Sequence, residues 1–164
     1  MSSSIGAGRA GSYSVSVIDT DSAAARPSRE LASITALCVA DHHNRPEVVA
    51  RWLANKTPDG VLQWFDNPDN RIFVAERDGD LAAAGAFNIQ RQIILNYVSP
   101  EHRFAGASTA LLAAMEGALG PGEATLTSTE TARRFYRARG WTETGVHEHW
   151  AGMVAYPMHK RLEA

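Results

Sequence analysis

A glycine-containing turn lies between an apolar strand and an amphipathic helix within residues 98–112. The turn holds Arg103, Gly106 and Ser108 in an Arg-x-x-Gly-x-Ser arrangement. A glycine turn that opens a helix directs several free backbone N–H groups toward one point, and the helix dipole adds partial positive charge there. The pattern therefore predicts a site for an anion, such as the diphosphate of a bound cofactor.

A second block, residues 132–141, carries a tyrosine that could take part in proton transfer. It reads Ala-Arg-Arg-Phe-Tyr-Arg-Ala-Arg-Gly-Trp, with Tyr136 on the same helical face as Ala132 and Phe135. A phenol has a pKa of about 10, so it holds a proton at neutral pH and can donate it to a departing group. Together the two blocks predict an enzyme with a diphosphate-bearing cofactor and a tyrosine close to its reactive end.

The elements that position these blocks are predicted from apolar periodicity and turn signals. Asp78-Gly79 predicts a hairpin turn, and Pro157 predicts an edge or a bulge in the last strand. The order of elements predicts the α/β (α+β) class, with one mixed, mostly antiparallel sheet flanked by helices. Strands are expected at 13–18, 72–75, 81–88, 92–98, 125–127, 141–149 and 152–162, and helices at three places within 26–66, at 106–119 and at 130–139.

Two of these elements carry more specific expectations. The consecutive apolar residues Ile93, Ile94 and Leu95 predict a strand that is buried in the centre of the sheet. In the helix at 106–119, the periodicity places Glu116 outward. It places an apolar stripe toward the core, formed by Ala107, Ala110, Leu111, Ala114, Met115 and Ala118.

The composition favours a single globular domain. The chain has 164 residues, of which 45% are hydrophobic, which is enough for a sizeable core. Residues 1–12 are expected to form a flexible leader and residues 13–164 the domain. The segment 6–11 matches the pattern G-x-G-x-x-G, but a strand follows it instead of preceding it, so we assign it to the leader.

Charge and cysteine content narrow the classes of partner and compartment. The net charge of −2 argues against a nucleic-acid-binding protein, which normally has a strongly basic face. No apolar run is long enough to span a bilayer, and no signal-peptide pattern follows Met1. Cys38 is the only cysteine, so no intrachain disulfide can form, and a cytoplasmic location is expected.

Both blocks resemble motifs of the GNAT superfamily of acetyl-CoA-dependent N-acetyltransferases. Residues 98–112 resemble its main cofactor motif, which runs strand, Pro, Arg/Gln-x-x-Gly-x-Gly/Ala, helix. Because the order of elements is also similar over residues 13–162, the resemblance implies a GNAT-like acyl-CoA N-acyltransferase fold. Residues 129–141 resemble the second motif, Asn-x-x-Ala-x-x-Phe-Tyr-x-x-x-Gly-Phe, at the positions of Ala132, Phe135, Tyr136, Gly140 and Trp141.

The resemblance also implies a role for each motif residue. The backbone N–H groups of residues 104–109 would hold the CoA pyrophosphate, and Arg103 would face the phosphates or support the loop. Val98 would offer its backbone to the pantetheine arm, and Tyr136 would lie near the thioester sulfur. Thr129 replaces an asparagine that contacts this arm in the family. The implied cofactor site, which needs no metal, comprises Val98, Arg103, Phe104, Ala105, Gly106, Ala107, Ser108, Thr109, Thr129 and Tyr136.

The residue that accepts the proton of the amine is left open. Family members often carry a glutamate on the strand before the cofactor loop, where this chain has Gln92 and Asn96, which cannot accept a proton at neutral pH. An amine has a pKa of about 7.7–10.4, so a base, or a water chain leading to one, is required. The candidates are Glu76, Glu130, His102, His147 and His149.

The resulting interpretation is an N-acetyltransferase that moves an acetyl group from its co-substrate acetyl-CoA to a primary amine. Direct attack within a ternary complex is expected because no nucleophilic cysteine accompanies the cofactor loop, and Tyr136 would be the catalytic acid. The acceptor would be a small-molecule or peptide amine, and the resemblance is compatible with a homodimer. The alternative is a non-catalytic acyl-CoA-binding or regulatory module that kept the fold and lost the base.

Overall fold

The computed structural model describes most of the chain from residue 66 onward and, before it, residues 13–18 and 63. The predictions for the leader 1–12, for the helices within 26–66, for Cys38 and for Arg103 fall wholly or mainly outside the described residues, so they stay predictions. The described residues are 13–18, 63, 66–102, 104–145, 147–150 and 153–164.

One mixed sheet organises the described part of the chain. Its strands are β1 (Ser14–Ile18), β2 (Asn70–Arg77), β3 (Asp80–Asn88), β4 (Gln92–Val98), β5 (Gly122–Ser128), β6 (Thr142–Glu143), β7 (Glu148–Trp150) and β8 (Met153–Leu162). They follow the spatial order β1–β2–β3–β4–β5–β8–β6, and β7 pairs with β8. Neighbouring strands are antiparallel except for β4 and β5, which are parallel. The predicted mixed, mostly antiparallel sheet is confirmed.

The helices α1 (Ala107–Leu119) and α2 (Glu130–Arg137) cover one face of this sheet, and a single 3-10 turn, Pro100–His102, precedes α1. Leu111 and Met115 of α1 are fully buried in the main core, together with residues of the sheet such as Leu126. No helix in the described ranges combines the length and the apolarity that crossing a membrane requires. The opposite face of the sheet carries a smaller core formed by Ile72, Val74, Ala84, Ala86 and Leu95.

Backbone conformation explains two local features around β3. Asp78 and Gly79, with φ of 53° and 82°, form the left-handed turn that joins β2 to β3, which confirms the predicted hairpin. Gly85 lies under α1, where an added Cβ would be 2.9 Å from the Met115 side chain. The missing side chain therefore lets α1 approach the centre of the sheet.

Arg91 ties the end of α1 to the start of β5. Its guanidinium donates to the carbonyl oxygens of Leu119, Gly120 and Glu123 at 2.7–2.8 Å. The last carbonyls of a helix have no partner within the helix, and the dipole favours a cation beside them. The Arg91 carbonyl in turn accepts from the Thr125 N–H at 3.1 Å. The turn between β3 and β4 therefore fixes the position at which β5 joins β4.

The burial of α1 differs from the predicted stripe at three positions. Glu116, predicted to face outward, is half-buried, and its carboxylate accepts from Trp141 Nε1 at 2.9 Å and from Lys160 Nζ at 2.9–3.0 Å. Leu112, which is outside the predicted stripe, is buried, whereas Ala118, which is on it, is exposed. Leu112 and Glu116 are one helical turn apart on the same side of α1. That side packs toward Trp141 and β8, which the periodicity of α1 alone does not indicate.

The predicted strand at 141–149 is not continuous. It consists of β6 and β7, which are separated in sequence and pair with different parts of β8. Pro157 of β8 lies between these two pairings, and its carbonyl accepts from the Thr144 N–H at 3.0 Å. Proline has no N–H to donate to a ladder, so a break in the neighbouring strand accommodates it. β8 pairs with β5 in continuous register, so it has no bulge at Pro157; of the two predicted alternatives, the break between β6 and β7 agrees with a local edge.

Candidate active site

A bulge at Ile94 redirects the middle of β4. Phe87 of β3 pairs with Ile93 and the preceding Ala86 pairs with Leu95, so Ile94 has no partner within the described β3. Ile93 joins the core under α1 and α2, whereas Leu95 joins the core on the opposite face. Ile94 is 39% exposed, so the prediction of a fully buried apolar run is wrong at this residue. Because of this extra residue, the side chains of β4 after Ile94 point to the opposite face of the sheet from the one that regular alternation would give them.

A cleft opens between β4 and β5 directly after this bulge. In the described sheet the two strands pair only at Gln92 with Thr125 and at Ile93 with Leu126, and they then separate. Strands that separate leave backbone groups without a ladder partner, so the cleft can bind an extended polar ligand. The cleft has a volume of about 140 Å³ and is lined by residues 93–97 of β4, by residues 126–129 around the end of β5, and by Ala132 and Tyr136 of α2.

Alternation along β4 directs part of its backbone into the cleft. The Ser99 N–H donates to the Ala82 carbonyl of β3 at 2.7 Å. Successive residues of an antiparallel strand present their N–H and C=O groups to opposite sides, so those of Val98 and Asn96 point away from β3 and toward β5. Because β5 has already diverged at this level, a ligand in the cleft can reach these groups.

Tyr136 and Asn96 meet inside the cleft. Asn96 Nδ2 donates to the Tyr136 phenolic oxygen at 3.1 Å. Tyr136 is 6% exposed, and its ring packs edge-on against Phe135 and Trp141 at centroid distances of 5.1 and 6.1 Å. These contacts hold a weakly acidic hydroxyl against β4. The sequence indicated Asn96 only as a residue that cannot accept a proton, because the bulge at Ile94 leaves no signal in an apolar run.

The turn before α1 has the backbone shape that its sequence pattern predicts. Phe104 and Gly106 have φ of 60° and 95°, and Gly106 immediately precedes α1. No described side chain caps this end of the helix, so the N–H groups of its first turn have no capping partner. Ala107 is buried and Ser108 half-buried, and the exposed residues of the turn are Phe104, Ala105, Gly106 and Thr109. This geometry suits an anion, and the binding of a pyrophosphate there stays a prediction.

Arg139 brings positive charge to the same turn. Its guanidinium donates from Nη2 to Thr109 Oγ1 in the first turn of α1 and from Nη1 to the Phe135 carbonyl, the latter at 3.0 Å. It also lies over the Phe135 ring at 3.8 Å. The sequence contains no signal for this role of Arg139, because no motif connects it with a residue 30 positions away.

The sequence of residues 29–162 matches the family model of the acetyltransferase (GNAT) domain. The chain belongs to the GNAT acetyltransferase family. No curated protein matches this GNAT chain in sequence.

The structure of this GNAT domain is similar to solved acetyltransferases. A GCN5-related N-acetyltransferase from Rhodopseudomonas palustris shares 20% identity and a TM-score of 0.71, over 96% of this chain and 100% of that one. The PaiA N-acetyltransferase of Thermoplasma acidophilum, in complex with coenzyme A, shares 16% identity and a TM-score of 0.64, over 90% and 98% of the two chains. Nourseothricin acetyltransferase shares 29% identity and a TM-score of 0.50, over 58% and 66%. The predicted family and fold are confirmed.

Thr129 of the GNAT domain caps α2. Its Oγ1 accepts from the Ala132 N–H at 3.3 Å, as is usual for a threonine at an N-cap. The hydroxyl of Ser128, which is 2% exposed, donates to the Thr129 carbonyl at 2.8 Å. Thr129 lines the cleft, but its side-chain oxygen already has a partner in the helix. Its contact with a cofactor arm, like the phosphate contact of Arg103, stays a prediction.

The predicted base candidates do not line the cleft of the GNAT domain. Glu76 is on β2, two strands from β4. His102 Nδ1 is 3.1 Å from the hydroxyl of Tyr13, which precedes the edge strand β1. His147 and His149 are exposed, before and within β7. Among the described residues, no three His, Cys, Asp or Glu side chains come together in a way that could hold a metal ion.

Glu130, the remaining candidate, begins α2 next to the cleft and belongs to an ion-pair network. The hydrogen bond from Tyr156, followed by that from Arg133, lowers the pKa of Glu130. Arg133 Nη1 is 2.9–3.2 Å from the Glu130 carboxylate, and its Nε and Nη2 contact Glu143 at 2.8 and 3.2 Å. The bonds from Arg133 likewise lower the pKa of Glu143. Both carboxylates are therefore ionised at neutral pH, and they anchor α2 to the sheet.

Proposed function

We propose that this GNAT chain is an N-acetyltransferase that transfers the acetyl group of acetyl-CoA to a primary amine by direct attack within a ternary complex. The observation that carries the proposal is the cleft between β4 and β5. Tyr136 lines this cleft. Beyond the end of β4 the chain reaches Gly106, where α1 starts without a side-chain cap. An anion site next to a narrow cleft with a proton donor is what a CoA thioester requires.

The residues present fit acetyl-CoA in charge and in shape. The first-turn N–H groups of α1 and the guanidinium of Arg139 supply positive charge for the pyrophosphate. The pantetheine arm is narrow and carries amide groups, which suit the backbone groups that Asn96 and Val98 direct into the cleft. When bound, acetyl-CoA would supply an acyl group already activated as a thioester.

Tyr136 is the residue proposed to donate a proton. Its packing against Phe135 and Trp141 holds the phenolic oxygen next to β4, where the proton can pass to the departing thiolate sulfur. The backbone N–H groups of Asn96 and Val98 are candidate donors to the oxygen on which negative charge develops. The chain's contribution is thus to orient the reactants, to stabilise charge and to supply one proton.

The proton of the attacking amine is proposed to leave through water. No carboxylate or imidazole in the described part of the chain lines the cleft. Glu130 is close along the chain, but the hydrogen bonds that lower its pKa make it a weaker proton acceptor. Turnover should therefore rise with pH through an apparent pKa that no single substitution removes. If Glu130→Gln or Glu76→Gln alone flattened that limb, the altered residue would be the base.

Thiol release from acetyl-CoA in the presence of a panel of amines tests the proposed function. The panel should contain small primary amines and peptides with a free N-terminus. Nourseothricin belongs in it, because the acetyltransferase named for it shares 29% identity over 58% of this chain. The chain should bind CoA in calorimetry and release thiol with at least one amine, which mass spectrometry should find acetylated.

The same experiment decides between this proposal and a non-catalytic acyl-CoA-binding module. CoA binding without turnover on any amine would favour the binding module, for which the absence of a carboxylate from the described cleft lining is the supporting observation. A chain that does not bind CoA would contradict both functions.

A further inference from the structure

Asn96 carries an unused hydrogen-bond acceptor beside Tyr136. Its Nδ2 donates to the Tyr136 phenolic oxygen at 3.1 Å, but its Oδ1 has no partner in the described structure and is out of contact with solvent. Leaving a buried acceptor unpaired is unfavourable, and native proteins seldom do so without a functional reason. This atom therefore indicates a missing donor in the cleft.

Two polar neighbours of Asn96 in the cleft, Ser128 and Thr129, form hydrogen bonds with groups other than Oδ1. The Ser128 hydroxyl donates to the Thr129 carbonyl, and the Thr129 hydroxyl oxygen serves as the cap of α2. Both residues line the cleft with Asn96. A ligand that enters the cleft can bring the missing donor to Oδ1.

We propose that Asn96 binds the arm of CoA, with Oδ1 accepting the N–H of the amide nearest the thioester sulfur while Nδ2 keeps its bond to Tyr136. The inference rests on the proposed function, which brings the sulfur next to Tyr136. Only an ethylene group separates that amide from the sulfur, so a side chain already bonded to Tyr136 is within reach of it. Asn96 then couples the position of the arm to the position of the phenol.

The other wall of the cleft has no comparable side-chain amide at position 129. Thr129 cannot offer an amide to the arm, and its one side-chain oxygen is engaged by the Ala132 N–H. Asn96 supplies an amide from the opposite wall of the same cleft. The arm would thus be held from β4 instead of from the start of α2.

Binding of two ligands to the wild type and to Asn96→Leu tests the proposal. One ligand is acetyl-CoA, and the other is an analogue in which the amide N–H nearest the sulfur is replaced by an ester oxygen. The wild type should bind the analogue about two- to tenfold more weakly in calorimetry, because one hydrogen bond is lost. Asn96→Leu should bind both ligands equally. Gln92→Leu is the matched control, since Gln92 is an amide on the same strand that pairs with Asn88, and it should keep the wild-type preference.

Equal affinity of the wild type for both ligands would overturn the proposal, as would a preference that survives in Asn96→Leu. The opposite orientation of the Asn96 amide would present Nδ2 to the arm and also predicts equal affinities, so the experiment decides that question too. If circular dichroism finds Asn96→Leu unfolded, Asn96→Ala takes its place. The comparison of acetyl-CoA with the ester analogue on the wild type can be made without any variant. A wild type that binds neither ligand would overturn the proposed function itself. This outcome is distinguishable from failure of the Asn96 proposal, because it is seen in the unsubstituted protein.

Discussion

Replacing Tyr136 with phenylalanine should separate the chemistry of the cleft from its packing. Tyr136→Phe keeps the ring against Phe135 and Trp141 and removes only the phenolic oxygen. Asn96 Nδ2 then loses its acceptor in a buried site, which should cost about 1–3 kcal/mol. In a domain of this size each kcal/mol changes the melting temperature by about 2–4 °C, so Tm should fall by roughly 2–12 °C.

The effect on turnover should exceed what this loss of stability explains. A positioned general acid typically contributes about 10²–10⁴-fold, and the lower part of that range is expected here because a thiolate leaves readily without help. Thiol release should be measured at saturating acetyl-CoA and amine, well below the Tm of the variant, where chemistry limits the rate. The affinity for acetyl-CoA should change little.

Tyr156→Phe is the matched control for this experiment. Tyr156 is also buried, at 8% exposure, and its hydroxyl also bonds to a side chain, that of Glu130, outside the cleft lining. The control should lower Tm by a comparable amount and keep kcat near the wild-type value. Wild-type turnover in Tyr136→Phe would refute the acid role and assign proton donation to solvent. An equal loss of turnover in both variants would attribute the effect to general loosening of the domain.

Three further substitutions test other parts of the structure. Gly106→Val should abolish CoA binding in calorimetry, because a β-branched residue is strained at a φ of 95°; unchanged affinity in a folded variant would contradict the anion site. Gly85→Ala should lower the free energy of unfolding in urea by about 1–3 kcal/mol, because its Cβ would be 2.9 Å from Met115; wild-type stability would mean that this side chain moves aside freely. Glu143→Gln should flatten the acid limb of Tm against pH, since Arg133 lowers the pKa of Glu143 in the folded state. Ionised Glu143 contributes fully to the free energy of unfolding above its unfolded pKa of about 4.3, and this contribution is lost as the pH falls through the pKa of the folded state. Equal slopes of Tm against pH in the wild type and the variant would contradict the contact between Arg133 and Glu143.

Local backbone chemistry explains which parts of the fold could be predicted from the sequence. The hairpin at Asp78-Gly79 and the turn at Gly106 need positive φ, which few residue types adopt readily, so their sequence signals are strong. The connection through α1 is long enough to join parallel strands, which agrees with the parallel pairing of β4 and β5 in a sheet whose other described pairings are antiparallel. The motif residues of the anion turn and the second block lie where these elements meet.

The contacts that complete the candidate site could not be predicted in the same way. Asn96 reaches Tyr136, 40 positions away, only because the bulge at Ile94 exchanges the faces of β4. A run of apolar residues fits a regular strand and a bulged one equally well. The prediction that Glu116 faces outward is wrong for a related reason. Helical periodicity identifies a single apolar face of α1, whereas α1 also packs against Trp141 on a second side.

The alternation of β4 has a consequence for hydrogen exchange. The Ser99 N–H is bonded to Ala82, whereas those of Val98 and Asn96 point away from β3, toward the side on which the cleft opens. An amide hydrogen without a hydrogen-bond acceptor exchanges readily with solvent, whereas a hydrogen-bonded one exchanges only when the sheet opens locally. Adjacent amides of one strand should therefore exchange at different rates in the free protein, and a ligand in the cleft should slow only those that face it. The protection pattern along this single strand would report whether the cleft is occupied, with no need for turnover.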